Sequence, residues 1–501
     1  MEKKSKTFVR IPSCLRDKDV VVFVAFLLYG ALVFAPFLRG EQRVHDSFLV
    51  EHYAGYERMI RGLFSQGRVL SSWLYQVLHV FNPSHTLTMR LSVAASLVFL
   101  SLAAYIVFRL LRQYAVSTEE KGGYVFAALG ALMLCFNLFI AESMLFFENA
   151  VMSLGILLAV LAVALFLRGG RKHCLLGLLA LVLSVFSYQP SSVFFPPLIV
   201  LFLGARYHAE WWKFFRRVCL AVLMYAAAVF SNVAFLLLYS SDVRFASDVR
   251  IWDNMRHAVG ALRLFFLNQF GFFRDYMFLL FLAIFFAVLI FTCHRQRMYR
   301  ALFVSILSVF ALLATTVALH LPIASDLWYI APRSAVAVAG IGGLLLLAIA
   351  LFAKRIRLPI LAIALIFTLL LSQKQMDIQR NTYANNQMDM QELAQIADTI
   401  RAYEAYHGIY IQEIFFSHDI PQTWQREGLR HYQDLTIRML QIPWMPEPLL
   451  RISLGDHITV VHMYDVLTPA EIEQLAAARQ SHWFTGGRLV FDGERVYLFL
   501  S

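Results

Sequence analysis

The chain reads as a polytopic α-helical membrane protein with a small C-terminal α/β domain outside the bilayer, and three observations predict this. Of its 501 residues 59% are hydrophobic and only 15% charged, and mean hydropathy is +0.62, which excludes a soluble globular chain. Apolar runs of roughly 20 residues, enough to cross a hydrocarbon core of about 30 Å, recur up to residue 372. Arginine and lysine return in every second connection between those runs, as the positive-inside rule requires of cytoplasmic loops.

About eleven spans are expected: 20–38, 88–108, 123–141, 149–167, 174–190, 191–205, 218–239, 276–293, 301–320, 334–353 and 358–372, the fifth and sixth sharing a junction at Pro190. Basic residues cluster at the N-terminus (Lys3, Lys4, Lys6, Arg10, Arg16, Lys18), then near Arg109, Arg168, Arg216, Arg295 and Lys354. That puts the N-terminus inside, and it puts 39–87, 142–148, 188–192, 240–275, 321–333 and 373–501 outside. The first apolar run is followed by large charged residues and lacks a small-residue cleavage site, so it is expected to stay as an anchor. The arginine-rich outer segments 39–68 and 244–274 read as amphipathic helices at the interface. Domain boundaries follow: a membrane part at 1–372, net +17, and an outer domain at 373–501, net −6.

The basic excess belongs to topology and lipid phosphates, and no basic helix interleaved with aromatics points to nucleic acid. The five cysteines (Cys14, Cys135, Cys174, Cys219, Cys293) form no disulfide framework or metal-ligand spacing. Neither a P-loop nor a dinucleotide fingerprint is present, so no cofactor and no metal is expected, and an activated substrate must arrive another way.

In the tail, 384–406 has apolar residues at helical spacing, 409–416 and 458–463 read as strands, and 488–500 as a hairpin turning at Asp492-Gly493. Thr468-Pro469-Ala470-Glu471 combines an N-cap, a proline at N1 and a capping glutamate, marking a helix over 469–479.

Chemistry points to the outer face. Arg39-Gly-Glu-Gln-Arg43-Val-His45-Asp46-Ser follows the first span, and charge at a bilayer edge is a functional hypothesis by default. Asp46 is the candidate base, with His45 beside it; Glu51, Glu142 and Glu148 are the competing acids. Gly67-Arg68-Val-Leu puts Arg68 at the start of an apolar helix, where it suits a phosphate. Arg333 follows Trp328-Tyr-Ile-Ala-Pro332 at the outer rim; it either snorkels to headgroups or binds an anion, with Asp326 as a candidate partner. Ser187-Tyr188-Gln189-Pro190 interrupts two spans, and polar breaks at membrane depth are tolerated where they line a cavity; Tyr188 and Gln189 are candidate sugar contacts, unless they form a simple helix connection. His320 reads as a satisfied helix-end histidine, and Glu57 with Arg61 as an i,i+4 pair.

The acid in His45-Asp46-Ser47, Gly67-Arg68-Val-Leu, Ser187-Tyr188-Gln189, Ala331-Pro332-Arg333 and Asn386-Gln-Met-Asp389, taken in order over about 40–400, resemble the Gtr-type O-antigen glucosyltransferase family. This family is similar to the GT-C class of multispan enzymes. The resemblance implies transfer of one sugar, glucose foremost, from a polyprenyl-phosphate donor to a hydroxyl of a lipid-linked or cell-surface glycan such as O-antigen. It implies this outside the bacterial cytoplasmic membrane, with inversion. Asp46 would be the general base, Arg68 and Arg333 would bind the donor phosphate, and His45, Tyr188, Gln189, Glu148 and Asp326 would contact sugar or acceptor. A donor synthase and a donor flippase would be functional partners. The family usually shows one or two acids in the first outer loop, whereas here Asp46 stands near the motif with only Glu41 and Glu51 flanking. A lipid-linked sugar flippase and a polysaccharide polymerase are the alternatives. A flippase would show charges at midplane and internal repeats, and the sequence shows few of the first and none evident of the second.

Overall fold

The computed structural model describes residues 17–40, 55–115, 121–239, 249–269, 271, 273–323, 330–353, 358–418, 438–442, 445–455, 457–479 and 489–500. These fall into two compact units, one within Met1–Gly40 and Met59–Met376, the other within Glu41–Arg58 and Asp377–Ser501.

In chain order the helices are α1 (Asp17–Val33), α2 (Gly55–Ser65), α3 (Val69–Phe81), α4 (His85–Tyr114), α5 (Lys121–Cys135), α6 (Asn149–Arg168), α7 (Arg171–Ser187), α8 (Phe195–Arg206), α9 (Trp211–Tyr239), α10 (Ile251–Asn268), α11 (Met277–Arg295), α12 (Tyr299–His320), α13 (Ile341–Phe352) and α14 (Leu358–His407). Among the described residues seven helical stretches are long and apolar enough to cross a membrane: α4, α6, α9, α11, α12, Pro332–Phe352 and α14, while Val20–Val33, Val69–Phe81 and Gly122–Cys135 are shorter apolar helices. The protein is therefore polytopic.

The bundle's interior is set by side-chain size. Gly343 of α13 lies so close to α5 that an added Cβ would stand 2.4 Å from the Leu134 amide nitrogen. Pro332–Phe352 is buried throughout its apolar window, so it runs through the centre of its unit, sheathed by other helices, as an all-round apolar helix must be. The chain ends of these helices sort by charge. Arg206 donates to the Leu167 carbonyl, Arg300 approaches the His208 carbonyl at 3.4 Å, and Arg112 lies 5.8 Å over Tyr124. Those are the connections expected to be cytoplasmic. The segments expected outside are joined instead to one another or to the neighbouring ends of spans. Tyr75 reaches Glu148, Ser92 reaches Phe147, Asn254 reaches Leu321 and Ile323, and Gln375 reaches Phe136 and Asn137.

A single continuous helix, α14, covers both the last expected span and the expected tail helix at 384–406. Nothing between residues 372 and 384 is glycine or proline, so no residue there stops the helix. At 1.5 Å per residue its 50 residues extend about 75 Å, more than one crossing uses. The described residues divide inside it, between Met376 and Asp377.

The second unit holds a four-stranded sheet in the order β2-β1-β4-β3, with β1 (Glu413–His418), β2 (Thr459–His462), β3 (Leu489–Asp492) and β4 (Arg495–Leu500). β1 is parallel to β2 and β4, while β3 and β4 form the antiparallel hairpin expected around Asp492-Gly493, where Gly493 has φ +58°. Strand residues alternate between two cores. Ile414, Phe416, Val496 and Leu498 pack with Leu393, Ile396 and Ile400 of α14; Phe415, Tyr497 and Phe499 pack with Ile472 of the helix Pro469–Arg479. Alternation of this kind is what a sheet covered on both faces requires. The helix begins on the expected capping box: Thr468 Oγ1 and Glu471 bond each other's backbone amides.

Candidate active site

The site is assembled from helix ends. α2 stops at Ser65, and the chain turns through Gln66 and Gly67 before α3 starts at Val69. Gly67 sits at φ +73°, a left-handed conformation that glycine adopts without steric cost. An added Cβ there would lie 2.7 Å from Asn232 Nδ2. The turn is held from two sides: Gln189 Nε2 donates to the Gln66 carbonyl at 2.7 Å, and Asn232 Nδ2 donates to the Gly67 carbonyl at 3.0 Å. Gln189 Nε2 also reaches Asn232 Oδ1 at 3.3 Å. The interrupted helix therefore works as a brace: α7 ends at Ser187, Tyr188 is extended, and a 3-10 turn Gln189–Phe194 leads into α8.

Arg68 takes its position from this turn. Its amide bonds the Leu63 carbonyl at 2.9 Å and its guanidinium carbon stands 4.9 Å over the Tyr188 ring. Ser71 Oγ ties the first turn of α3 to the Ser187 carbonyl at 3.2 Å. Arg68 Nε is buried and has no hydrogen-bond partner among the described residues. A guanidinium resting on an aromatic face keeps its edge of N–H donors for two oxygens of a carboxylate or phosphate.

Arg333 is in the opposite condition. Its Nη1 lies 2.7 Å from Glu142 Oε1, its backbone amide donates to the other oxygen of the same carboxylate, and its guanidinium stands 4.7 Å over Phe146. The Glu142 side chain is fully buried and that of Arg333 is 11% exposed. Pro332 opens the 3-10 turn that carries Arg333, and Ser334 of the same turn meets His320 Nε2 at 3.1 Å. His320 also bonds the Thr316 carbonyl at 2.8 Å, in agreement with its reading as a helix-end histidine.

Glu148 accepts from the Tyr75 hydroxyl at 3.0 Å, both side chains buried. The structure thus joins Arg68, Tyr188 and Gln189 in one cluster. It fixes Glu148 through α3, and gives Arg333 to Glu142, which the sequence had offered only as a competing base. Both Glu142 oxygens are engaged by Arg333, which leaves that carboxylate poorly placed to take a substrate proton. Asp46, His45, Glu51 and Asp326 lie outside the described residues. Sequence reasoning missed Asn232 and Tyr75; a lone asparagine within an apolar span was the signal for the first. Among the described residues no group of three or more His, Cys, Asp or Glu could hold a metal ion.

Comparison with known proteins gives a family and nothing narrower. No curated protein and no solved structure matches the chain. The family model described as Glucosyl transferase GtrII matches residues 52–348, a stretch that contains Arg68, Glu142, Glu148, Tyr188, Gln189, Asn232 and Arg333. Matched over more than half its length, this polytopic chain belongs to the GtrII glucosyl transferase family and is a glycosyltransferase.

Proposed function

We propose that the protein moves one glucose from a polyprenyl-phosphate donor to a hydroxyl of a glycan such as O-antigen, on the outer side of the bacterial cytoplasmic membrane. The single observation that carries this is Arg68, an arginine braced over Tyr188 whose buried Nε has no hydrogen-bond partner among the described residues. A leaving phosphate needs positive charge placed beforehand, and a cation already oriented loses little on binding it. Arg333 was expected to share this work; paired with the buried Glu142 carboxylate it ties down the connection that carries Glu142, so the direct phosphate contact is assigned to Arg68.

In this reading the Asp46 carboxylate takes the proton of the acceptor hydroxyl as its oxygen bonds the anomeric carbon. The anomeric C–O bond to phosphate breaks, and the polyprenyl phosphate leaves with the electron pair. Direct displacement inverts the anomeric carbon. Tyr188 supports the Arg68 face, and His45, Glu148 and Asp326 remain assigned to the sugar or acceptor side. In the eleven-span topology expected from the sequence, 373–501 lies outside, on the acceptor's side of the membrane. A synthase must make the donor and a flippase must deliver it.

The test is purified protein with polyprenyl-phosphate glucose and O-antigen-type acceptors, read by mass as a gain of one hexose. Asp46→Asn is expected to lower turnover by at least about a hundredfold while donor binding persists. Retained turnover removes Asp46 as the base. Donor movement across liposomes with no hexose gain would replace the transferase reading by a flippase.

A further inference from the structure

We propose that Asn232 and Gln189 are positioning residues for the donor phosphate: they grip the Gln66–Gly67 carbonyls so that Arg68 stays fixed over Tyr188. The inference rests on the reading of Arg68 as the phosphate ligand and adds the device that sets its geometry. Asn232 is 3% exposed in the last third of α9, where the helix's other buried residues, Phe214, Ala221, Met224 and Ala228, are apolar. A carboxamide is costly there unless both its ends are bonded. Both are: Nδ2 donates to the Gly67 carbonyl, and Oδ1 accepts from Gln189.

The contacts form a closed circuit of three chain segments far apart in sequence. Gln189 comes from the break between α7 and α8, Asn232 from α9, and the gripped carbonyls from the turn between α2 and α3. Neither carboxamide is spent on the helix that bears it. Both bond the two peptide groups immediately before Arg68, and the lack of a side chain at Gly67 is what lets Asn232 approach. The ring under the guanidinium belongs to Tyr188, the residue next to Gln189, so the same break supplies both the backbone clamp and the aromatic floor. Freed from this clamp, the turn would let Arg68 sample several rotamers, and the donor would have to order it on binding.

The test is steady-state kinetics of the full-length protein with polyprenyl-phosphate glucose. Asn232→Ala and, separately, Gln189→Ala are expected to raise KM for the donor about five- to tenfold, as the loss of an orienting hydrogen bond does, with kcat within about twofold and acceptor KM unmoved. Gln189→Ala leaves α9 intact, so it stands if Asn232→Ala fails to fold. In an Arg68→Ala background neither change should raise donor KM further, because residues that act through one group are not additive. Independent, multiplying effects would show a merely structural role and overturn the inference, as would unchanged donor KM in both single variants. If Arg68→Ala itself leaves donor KM unchanged, the phosphate-ligand reading fails first and takes the clamp with it. An effect of Arg68→Ala without any effect of the two carboxamides sinks the clamp alone.

Discussion

Arg68 and Arg333 show how differently two arginines can be used in one bundle: the first rests on the Tyr188 ring, the second is paired with Glu142. Breaking a buried ion pair from one side strands the other charge, which costs about 3–5 kcal/mol, whereas replacing both partners by apolar residues is often neutral. Glu142→Gln is therefore expected to destabilise the detergent-solubilised protein by about that amount, and the double change Glu142→Leu with Arg333→Met to recover most of it, measured by thermal denaturation. A second residue carries an opposite expectation. Gln269 is fully buried at the end of α10, and neither its Nε2 nor its Oε1 has a partner among the described residues. Gln269→Met keeps the length and removes both unsatisfied groups, so it should raise stability by about 1–3 kcal/mol; a fall in melting temperature would show that the amide has a bonded role. At this scale the sequence made both arginines legible as cations at the ends of apolar runs. It could not tell the open one from the paired one, because Glu142 is 191 residues away from Arg333 and meets it only through helix packing.

Helix contacts in the bundle depend on small residues at fixed places. Gly343→Ala would put a Cβ 2.4 Å from the Leu134 nitrogen and 2.8 Å from the Gly130 carbonyl oxygen, backbone atoms that no rotamer change can move. α5 and α13 must separate, so a loss of about 1–3 kcal/mol is expected, read as a lower melting temperature with the helix content unchanged. A stability equal to that of the parent protein would mean the two helices are free to slide. Elements defined by local chemistry were the readable ones. The Thr468–Glu471 capping box, the Asp492-Gly493 turn and the Pro190 break all stand where side-chain chemistry put them. The join between membrane and tail was not readable as a helix, because hydropathy falls after Leu371 while nothing in the backbone chemistry changes. Polarity and helicity end at different residues there, and only the first leaves a mark in the composition.

Across the whole molecule, charge separates as the units do, and the second unit buries some of its own. Asp389 and Glu392 on the later half of α14, beyond the length a crossing needs, both bond Arg438, and Asp389 also accepts from the Met439 amide. Burial pushes the Asp389 carboxyl up to about 6, with Arg438 and the Met439 amide opposing. The same carboxylates push the Arg438 guanidinium higher still, against its own burial. A guanidinium stays charged throughout the accessible range, so of the Asp389–Arg438 pair it is Asp389 that titrates. A carboxyl whose folded value lies above its ordinary 3.8 binds its proton more tightly in the folded state. Its contribution is fully present below about 3.8 and is lost as pH rises through about 6. The second unit should thus lose stability between those values on account of this one group. Asp389→Asn, which cannot titrate, should flatten that part of the profile. Hydrogen exchange across 389–418, corrected for the intrinsic pH dependence of exchange, measures it in the intact protein. Equal slopes for parent and variant between pH 4 and 6 would mean that Arg438 holds Asp389 ionised throughout, and that the buried pair is stabilising in its charged form.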